Sequence, residues 1–209
     1  MIVLPGGGYE SLSEHEGEPV AAWLRSLGLE SSVFEYPVQT LHPAPVDAVR
    51  AEVARLRRSG VDRVGVLGFS AGAHAAGHAA LSGAGDGRPD ASVLCYPVVS
   101  MVLGTHGGSR SQLLGPNSSD GLRRATSLEL LVTPDAPPFF LWHTSEDASV
   151  PVEHSDLLGR ALGAAGLAHE LHIFPHGEHG LGLGRDAGAT SEWTALCAAW
   201  LAEGAWLDD

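Results

Sequence analysis

Three kinds of side chain used in acyl transfer, a hydroxyl, an imidazole and a carboxylate, stand in this chain just beyond apolar runs. Ser70 lies in Gly68-Phe69-Ser70-Ala71-Gly72, directly after Val64-Gly65-Val66-Leu67 and directly before the small-residue stretch Ala73 to Ala80. A strand, a one-residue corner and a helix is the setting in which G-x-S-x-G lifts a serine above a sheet, with glycines where a Cβ would collide between strand and helix. The bare pentapeptide would equally serve as a glycine-rich turn, and its flanks favour the first reading. A serine hydroxyl is a weak nucleophile without a base. His179, in Pro175-His176-Gly177-Glu178-His179-Gly180-Leu181, has flexible neighbours that let it reach Ser70. Asp147, in the segment Trp142 to Pro151, precedes a helix expected to open at Pro151, where a carboxylate can accept from an imidazole and stay ionised; Glu146 beside it is the rival.

A fourth segment, Pro5-Gly6-Gly7-Gly8-Tyr9, supplies glycines whose N–H groups can converge on one point. The expected oxyanion donors are Gly7 or Gly8 together with Ala71, and Tyr9 and His106 are expected near the pocket, His106 equally as a loop-stabilising residue. A nucleotide loop is disfavoured because G-x-G-x-x-G and G-x-x-x-x-G-K-[ST] are both missing. Among the eleven histidines, His169, His172, His176 and His179 invite a metal reading. They lack the i, i+4 helical pair or cysteine partners that zinc favours, so neither metal nor cofactor is expected. Glu14, Glu16 and Glu18 read as solvated acids complementing a helix start, with binding of a substrate amine as the alternative.

These groups need a scaffold. Apolar runs bounded by turn residues recur at Ile2–Leu4, Ser32–Tyr36, Val64–Phe69, Ser92–Tyr96, Pro138–His143 and Glu170–Phe174, as in strands buried on both faces of a parallel sheet. Helical stripes alternate with them: Val20, Trp23, Leu24 and Leu27; Val46, Val49, Val53 and Leu56; Leu157, Leu158, Ala161 and Leu162; and Trp193, Leu196, Cys197, Trp200 and Leu201, the last with Thr190 or Ser191 as cap. The pattern predicts one α/β domain over residues 1–209, a mostly parallel sheet of about six strands with helices on both faces. Residues 100–136, rich in Gly, Ser and Pro with short helical pieces near Ser111–Leu114 and Gly121–Thr126, read as a cap-like insert.

The 209 residues carry 12 basic and 25 acidic side chains, a net charge of −13, without a basic stripe. Nucleic acid and anionic membrane are therefore poor partners, and a small neutral or cationic substrate is easier to admit. Cys95 and Cys197 lie far apart in apolar settings, so neither a disulfide framework nor a thiol nucleophile is expected. No run is long enough to span a bilayer and no secretory leader is visible, which predicts a cytoplasmic protein.

The chain resembles the α/β-hydrolase superfamily, in particular its bacterial esterase/lipase branch of acetylxylan-esterase-like and feruloyl-esterase-like carbohydrate esterases. The resemblance rests on PGGGY at Pro5–Tyr9, SEHEGEPVAAWL at Ser13–Leu24, HPAP at His42–Pro45, GVLGFSAGAHAA at Gly65–Ala76, YPVVSM at Tyr96–Met101, THGGSRSQLLG at Thr105–Gly115, EDASVPVEHS at Glu146–Ser155 and GEHGLGLG at Gly177–Gly184. It implies Ser70 as nucleophile, Asp147 as orienting acid, His179 as base, and hydrolysis of short acyl esters, acetyl groups on sugars among them. Pro5 stands where many relatives carry the histidine of H-G-G-G, and Pro37 where arginine is frequent. The first hairpin usual in that superfamily is absent, which would leave an edge that a homo-oligomer could cover. Two alternatives stay open: an aminopeptidase of the prolyl-oligopeptidase type, which shares the order Ser70, Asp147, His179, and a noncatalytic hydrolase-fold binding protein.

Overall fold

The computed structural model describes residues 1–104 and 106–207. Thr105, at the head of one resembling segment, and the last two residues of the expected domain lie outside them. Six strands, β1 Ile2–Leu4, β2 Ser32–Val33, β3 Gly65–Phe69, β4 Ala91–Cys95, β5 Phe139–Thr144 and β6 His169–Phe174, form one sheet in the order β2-β1-β3-β4-β5-β6. Every neighbouring pair is parallel. The helices are α1 Glu18–Ser26, α2 Ala44–Arg58, α3 Ser70–Ser82, α4 Gly107–Leu114, α5 Asp120–Ala125, α6 Glu153–Ala164 and α7 Trp193–Glu203.

Strand residues alternate between two cores, as the pleat requires. Ile2, Leu4, Val66, Phe139 and Leu141 join α2, α3 and α6 on one face. Val3, Leu67, Phe69, Phe140 and Trp142 join α1 and α7 on the other. The second face is aromatic, with Trp142 stacked on Trp193 at 5.0 Å between centroids. The first is built around α3, whose residues Ser70 to Leu81 are all buried. Alanine and glycine let α3 lie close to its neighbours; a Cβ at Gly77 would come within 2.7 Å of Leu128 Cδ1.

Four expectations change. Only Ser32 and Val33 of the second run pair with β1, because the Tyr36 N–H turns back to the Phe34 carbonyl at 3.0 Å ahead of Pro37. As sheet edges, β2 and β6 are not buried on both faces; Ile173 of β6 is 40% exposed. Helix α6 starts at Glu153 rather than Pro151. Neither Thr190 nor Ser191 caps α7: both lie in a 3-10 turn that runs into it, Thr190 Oγ1 donating to the His176 carbonyl at 2.6 Å and Ser191 Oγ to Gly188 at 2.7 Å.

The chain leaves β1 for β2 on one side and returns to β3 on the other. Loops that diverge at such a reversal open a crevice at the carboxyl ends of the strands. Residues 106–136 carry α4, α5 and a 3-10 turn at Leu128–Leu130; of these residues His106 and Gly108 line the cavity beside Ser70, while Leu128 is buried in the core against α3. Helix α4 begins earlier than its apolar residues suggest because the His106 imidazole caps it, accepting the Ser109 N–H at 3.2 Å. Among the described residues no helix is long and apolar enough to cross a membrane.

Candidate active site

Ser70 is the first residue of α3 and has φ of 50°, a left-handed conformation uncommon outside glycine. The corner closes only with glycine on either side. A Cβ at Gly68 would lie 2.5 Å from the Gly72 carbonyl oxygen, and one at Gly72 would overlap the Leu4 and Pro5 carbonyls. The turn leaves Ser70 Oγ 2.8 Å from His179 Nε2. On the far side of the ring, His179 Nδ1 lies 2.6 Å from Asp147 Oδ2. Because a carboxylate only accepts, Nδ1 carries the hydrogen and Nε2 can accept the Ser70 proton.

The Asp147 side chain is fully buried. Burial pushes its pKa up, but hydrogen bonds from His143, His179 and the Val150 N–H outweigh that and hold the carboxyl well below the usual range. His143 Nε2 donates to both Asp147 Oδ2, 3.1 Å away, and the Val150 carbonyl, 3.0 Å away. The N–H groups of Ser149 and Val150 donate to Oδ1 at 2.9 and 2.8 Å. Glu146 is exposed and bonds instead to His176 at 2.9 Å.

Gly7 and Gly8 have φ of 120° and 68°, and a Cβ at Gly7 would overlap the Ser11 carbonyl. Among the described residues, no acceptor meets the N–H groups of Gly7, Gly8 or Ala71. Ala71 is the second residue of α3, where helix N–H groups are unpaired and the dipole is positive. Gly7, Gly8, Ser70, His106 and His179 open on a cavity of about 240 Å³ whose wall consists of glycine, serine, glutamate and histidine residues.

Tyr9 is not part of that wall. Its φ of 64° after the glycine reversal turns the side chain into the core, where it is fully buried and its hydroxyl lies 2.7 Å from His74 Nδ1. A buried phenol needs such a partner. His169, His172 and His176 are engaged separately, with the Leu167 carbonyl, Glu170 and Glu146.

Of three further residues at the site, the sequence pattern marks Glu16 as a solvated acid or an amine binder and assigns Tyr96 and His143 no role. Glu14 and Glu18 are exposed as expected, but Glu16 is 2% exposed and bonds to the Gly6 N–H at 2.7 Å. Tyr96, beyond β4 with φ of 36°, places its ring 4.9 Å from that of His179. His143 is buried in β5 behind Asp147. Only the last left a trace, a histidine at a strand end four residues before an aspartate.

A model of the prolyl oligopeptidase family matches residues 46–205. The chain belongs to this family. Its sheet and helices have the α/β-hydrolase fold. This prolyl oligopeptidase family member superposes with a TM-score of 0.96 on the acetyl ester-xyloside bifunctional hydrolase of Caldicellulosiruptor lactoaceticus, at 42% identity over 99% of this chain and 83% of that one. It is 34% identical to endo-1,4-beta-xylanase B of Butyrivibrio fibrisolvens, over 89% of this chain and 33% of that protein. It is 29% identical to the acetylxylan esterase of Xylanibacter ruminicola, over 88% of this chain and 41% of that protein. The chain thus spans well under half the length of these two curated relatives.

Proposed function

We propose that the chain is a serine hydrolase that cleaves short carboxylic esters, acetyl esters of carbohydrates foremost, through an acyl-enzyme. The observation that carries this reading is the unbroken relay from Asp147 through His179 to Ser70, opening on a small cavity beside unpaired backbone N–H groups. In the first half-reaction Ser70 Oγ attacks the ester carbonyl carbon while its proton passes to His179 Nε2. The carbonyl oxygen, now anionic, is held by the N–H of Ala71 and that of Gly7 or Gly8. Collapse breaks the bond to the alcohol, which leaves with the proton from Nε2. Water then repeats the sequence on the acyl-enzyme, giving up a proton to His179 and releasing the carboxylic acid and Ser70. Asp147 stays ionised throughout, fixing the tautomer and stabilising the imidazolium.

The cavity narrows the substrate. A volume of about 240 Å³ falls below the range usual for drug-sized ligands, and a wall without aliphatic, phenyl or indole side chains offers a long acyl chain little to bury against. Hydroxyl-bearing alcohols suit its glutamates, serines and histidines, and two of the relatives are named for acetyl-ester hydrolysis. Of the acids that could have anchored a substrate amine, Glu16 has both carboxylate oxygens taken by donors of the chain itself. The test is a series of nitrophenyl acyl esters alongside acetylated xylo-oligosaccharides and an aminoacyl nitroanilide, with a fluorophosphonate probe for Ser70. Labelling of Ser70 is expected, with kcat/KM highest for acetyl and falling with chain length. Preference for the anilide, or no adduct on folded protein, rejects the reading.

A further inference from the structure

We propose that Glu16 is a positioning residue that locks the glycine loop after β1 to the histidine loop after β6, so that the oxyanion donors and the His179 imidazole face one point. This rests on the serine-hydrolase reading and extends it to a residue outside the relay. Glu16 sits in a short 3-10 turn, Glu14–Glu16, between β1 and α1. One of its oxygens, Oε2, accepts the Gly6 N–H at 2.7 Å, immediately before the two glycines that offer free N–H groups. Gly6 is confined there: a Cβ would lie 2.6 Å from that same oxygen and 3.2 Å from Ser70 Cβ. The other, Oε1, accepts the Tyr96 hydroxyl at 2.5 Å.

Tyr96 carries the connection onward. Its Oη accepts the Gly182 N–H at 2.8 Å, and its ring packs edge-on against His179. A second tie runs in parallel, because His15 Nε2 donates to the Gly180 carbonyl at 2.8 Å. The turn is itself fastened to the glycine loop by the Ser13 N–H, which donates to the Gly6 carbonyl at 3.1 Å. Loops from the ends of β1, β4 and β6 therefore converge on one buried side chain.

Both neighbours of the carboxylate are donors, and the Tyr96 oxygen already accepts from Gly182. Glutamine keeps only one of the two acceptors: with its oxygen on the Gly6 N–H, its NH2 faces Tyr96 and the phenol hydrogen loses its acceptor; turned round, its NH2 faces the Gly6 N–H. Space would be conserved and register lost. Misplacing reacting groups by about 1 Å costs roughly 10²-fold in rate.

The experiment compares wild type with Glu16→Gln and Tyr96→Phe. Competent sites are counted with the fluorophosphonate, kcat and KM are measured on nitrophenyl acetate, and thermal unfolding is followed alongside. Per titrated site, kcat is expected to fall roughly 10²-fold in Glu16→Gln and about tenfold in Tyr96→Phe, with KM within about threefold of wild type. The double variant should be no worse than Glu16→Gln, since both changes cut one chain of bonds. A kcat per site within about twofold of wild type in either variant overturns the proposal, whatever happens to the melting temperature, because a purely structural role changes the number of sites and not their turnover. Should Glu16→Gln not fold, Tyr96→Phe decides alone, since it keeps the ring. Wild type that takes up no fluorophosphonate at Ser70 counts against the hydrolase reading itself; labelled wild type with unimpaired variants counts against Glu16 alone.

Discussion

His179 and His74 are each held at both ring nitrogens, His179 between Asp147 and Ser70, His74 between the Tyr9 hydroxyl and the Thr126 carbonyl. The partners differ in kind. One nitrogen of His179 faces a buried carboxylate, and its side chain is 20% exposed at the cavity. His74 is fully buried among neutral groups, and that burial pushes its pKa down to about 4. An imidazole can shuttle a proton only where the charge it acquires is compensated, and Asp147 supplies that compensation at one site while nothing supplies it at the other. Hydrogen bonding at both nitrogens thus does not distinguish a base from a structural histidine. The charge of the partner does.

The sharpest way to break this contrast is at the serine. Ser70→Ala is expected to lower kcat by roughly 10⁶-fold, the scale seen when a serine nucleophile is removed, with an unchanged circular dichroism melt. Esterase activity near the wild-type level would dissolve the distinction between the two histidines. Asp147→Asn removes the compensating charge and is expected to cost about 10⁴-fold in kcat, the size known for this change in a Ser-His-Asp enzyme. His74→Phe addresses the other side. It strands the Tyr9 hydroxyl and the Thr126 carbonyl, so urea unfolding should show a loss of about 3 kcal/mol, while kcat per titrated site stays within about threefold. A rate loss as large as that of Asp147→Asn would make His74 part of the machinery.

A further effect on stability comes from pH. Desolvation lowers His74 to about 4 and His78 to about 3, from an ordinary value of 6.5. Below pH 6.5 the unfolded chain therefore binds protons that the folded chain refuses. Stability is fully present above pH 6.5 and is lost as pH falls towards 4 and then 3. Urea midpoints measured across that window should decline steadily as pH drops, and a flat profile would contradict the burial of neutral imidazoles.

Legibility in the sequence followed the range of the interaction. β1, β3, β4 and β5 were visible as apolar runs, since a strand buried on both faces needs such a run whatever its neighbours; the edge strands β2 and β6 also lay within apolar runs, although neither is buried on both faces. The Gly68 side of the corner was visible for a similar reason, because its clash is with Gly72, four residues on, whereas the clash at Gly72 is with Leu4 and Pro5, distant in sequence. Ser70, Asp147 and His179 could be singled out because each lies just past a strand end, and the parallel sheet brings those ends together. Glu16 looked no different from Glu14 and Glu18. Its burial depends on Tyr96, 80 residues further on, and no local pattern encodes that meeting. Tyr9 was misplaced for the same reason: next to a glycine loop it reads as a pocket residue, but its partner His74 lies 65 residues away on α3.

Backbone sterics and apolar periodicity act over a few residues, so the sequence by itself determined the alternation of strands and helices, the parallel architecture and the glycine-bounded corner at Ser70. Hydrogen-bond partners and local charge depend on which distant groups share a buried space. Only the tertiary structure therefore decided that Glu16 ties two loops together, that Tyr9 faces inward, and which histidine sits beside a carboxylate.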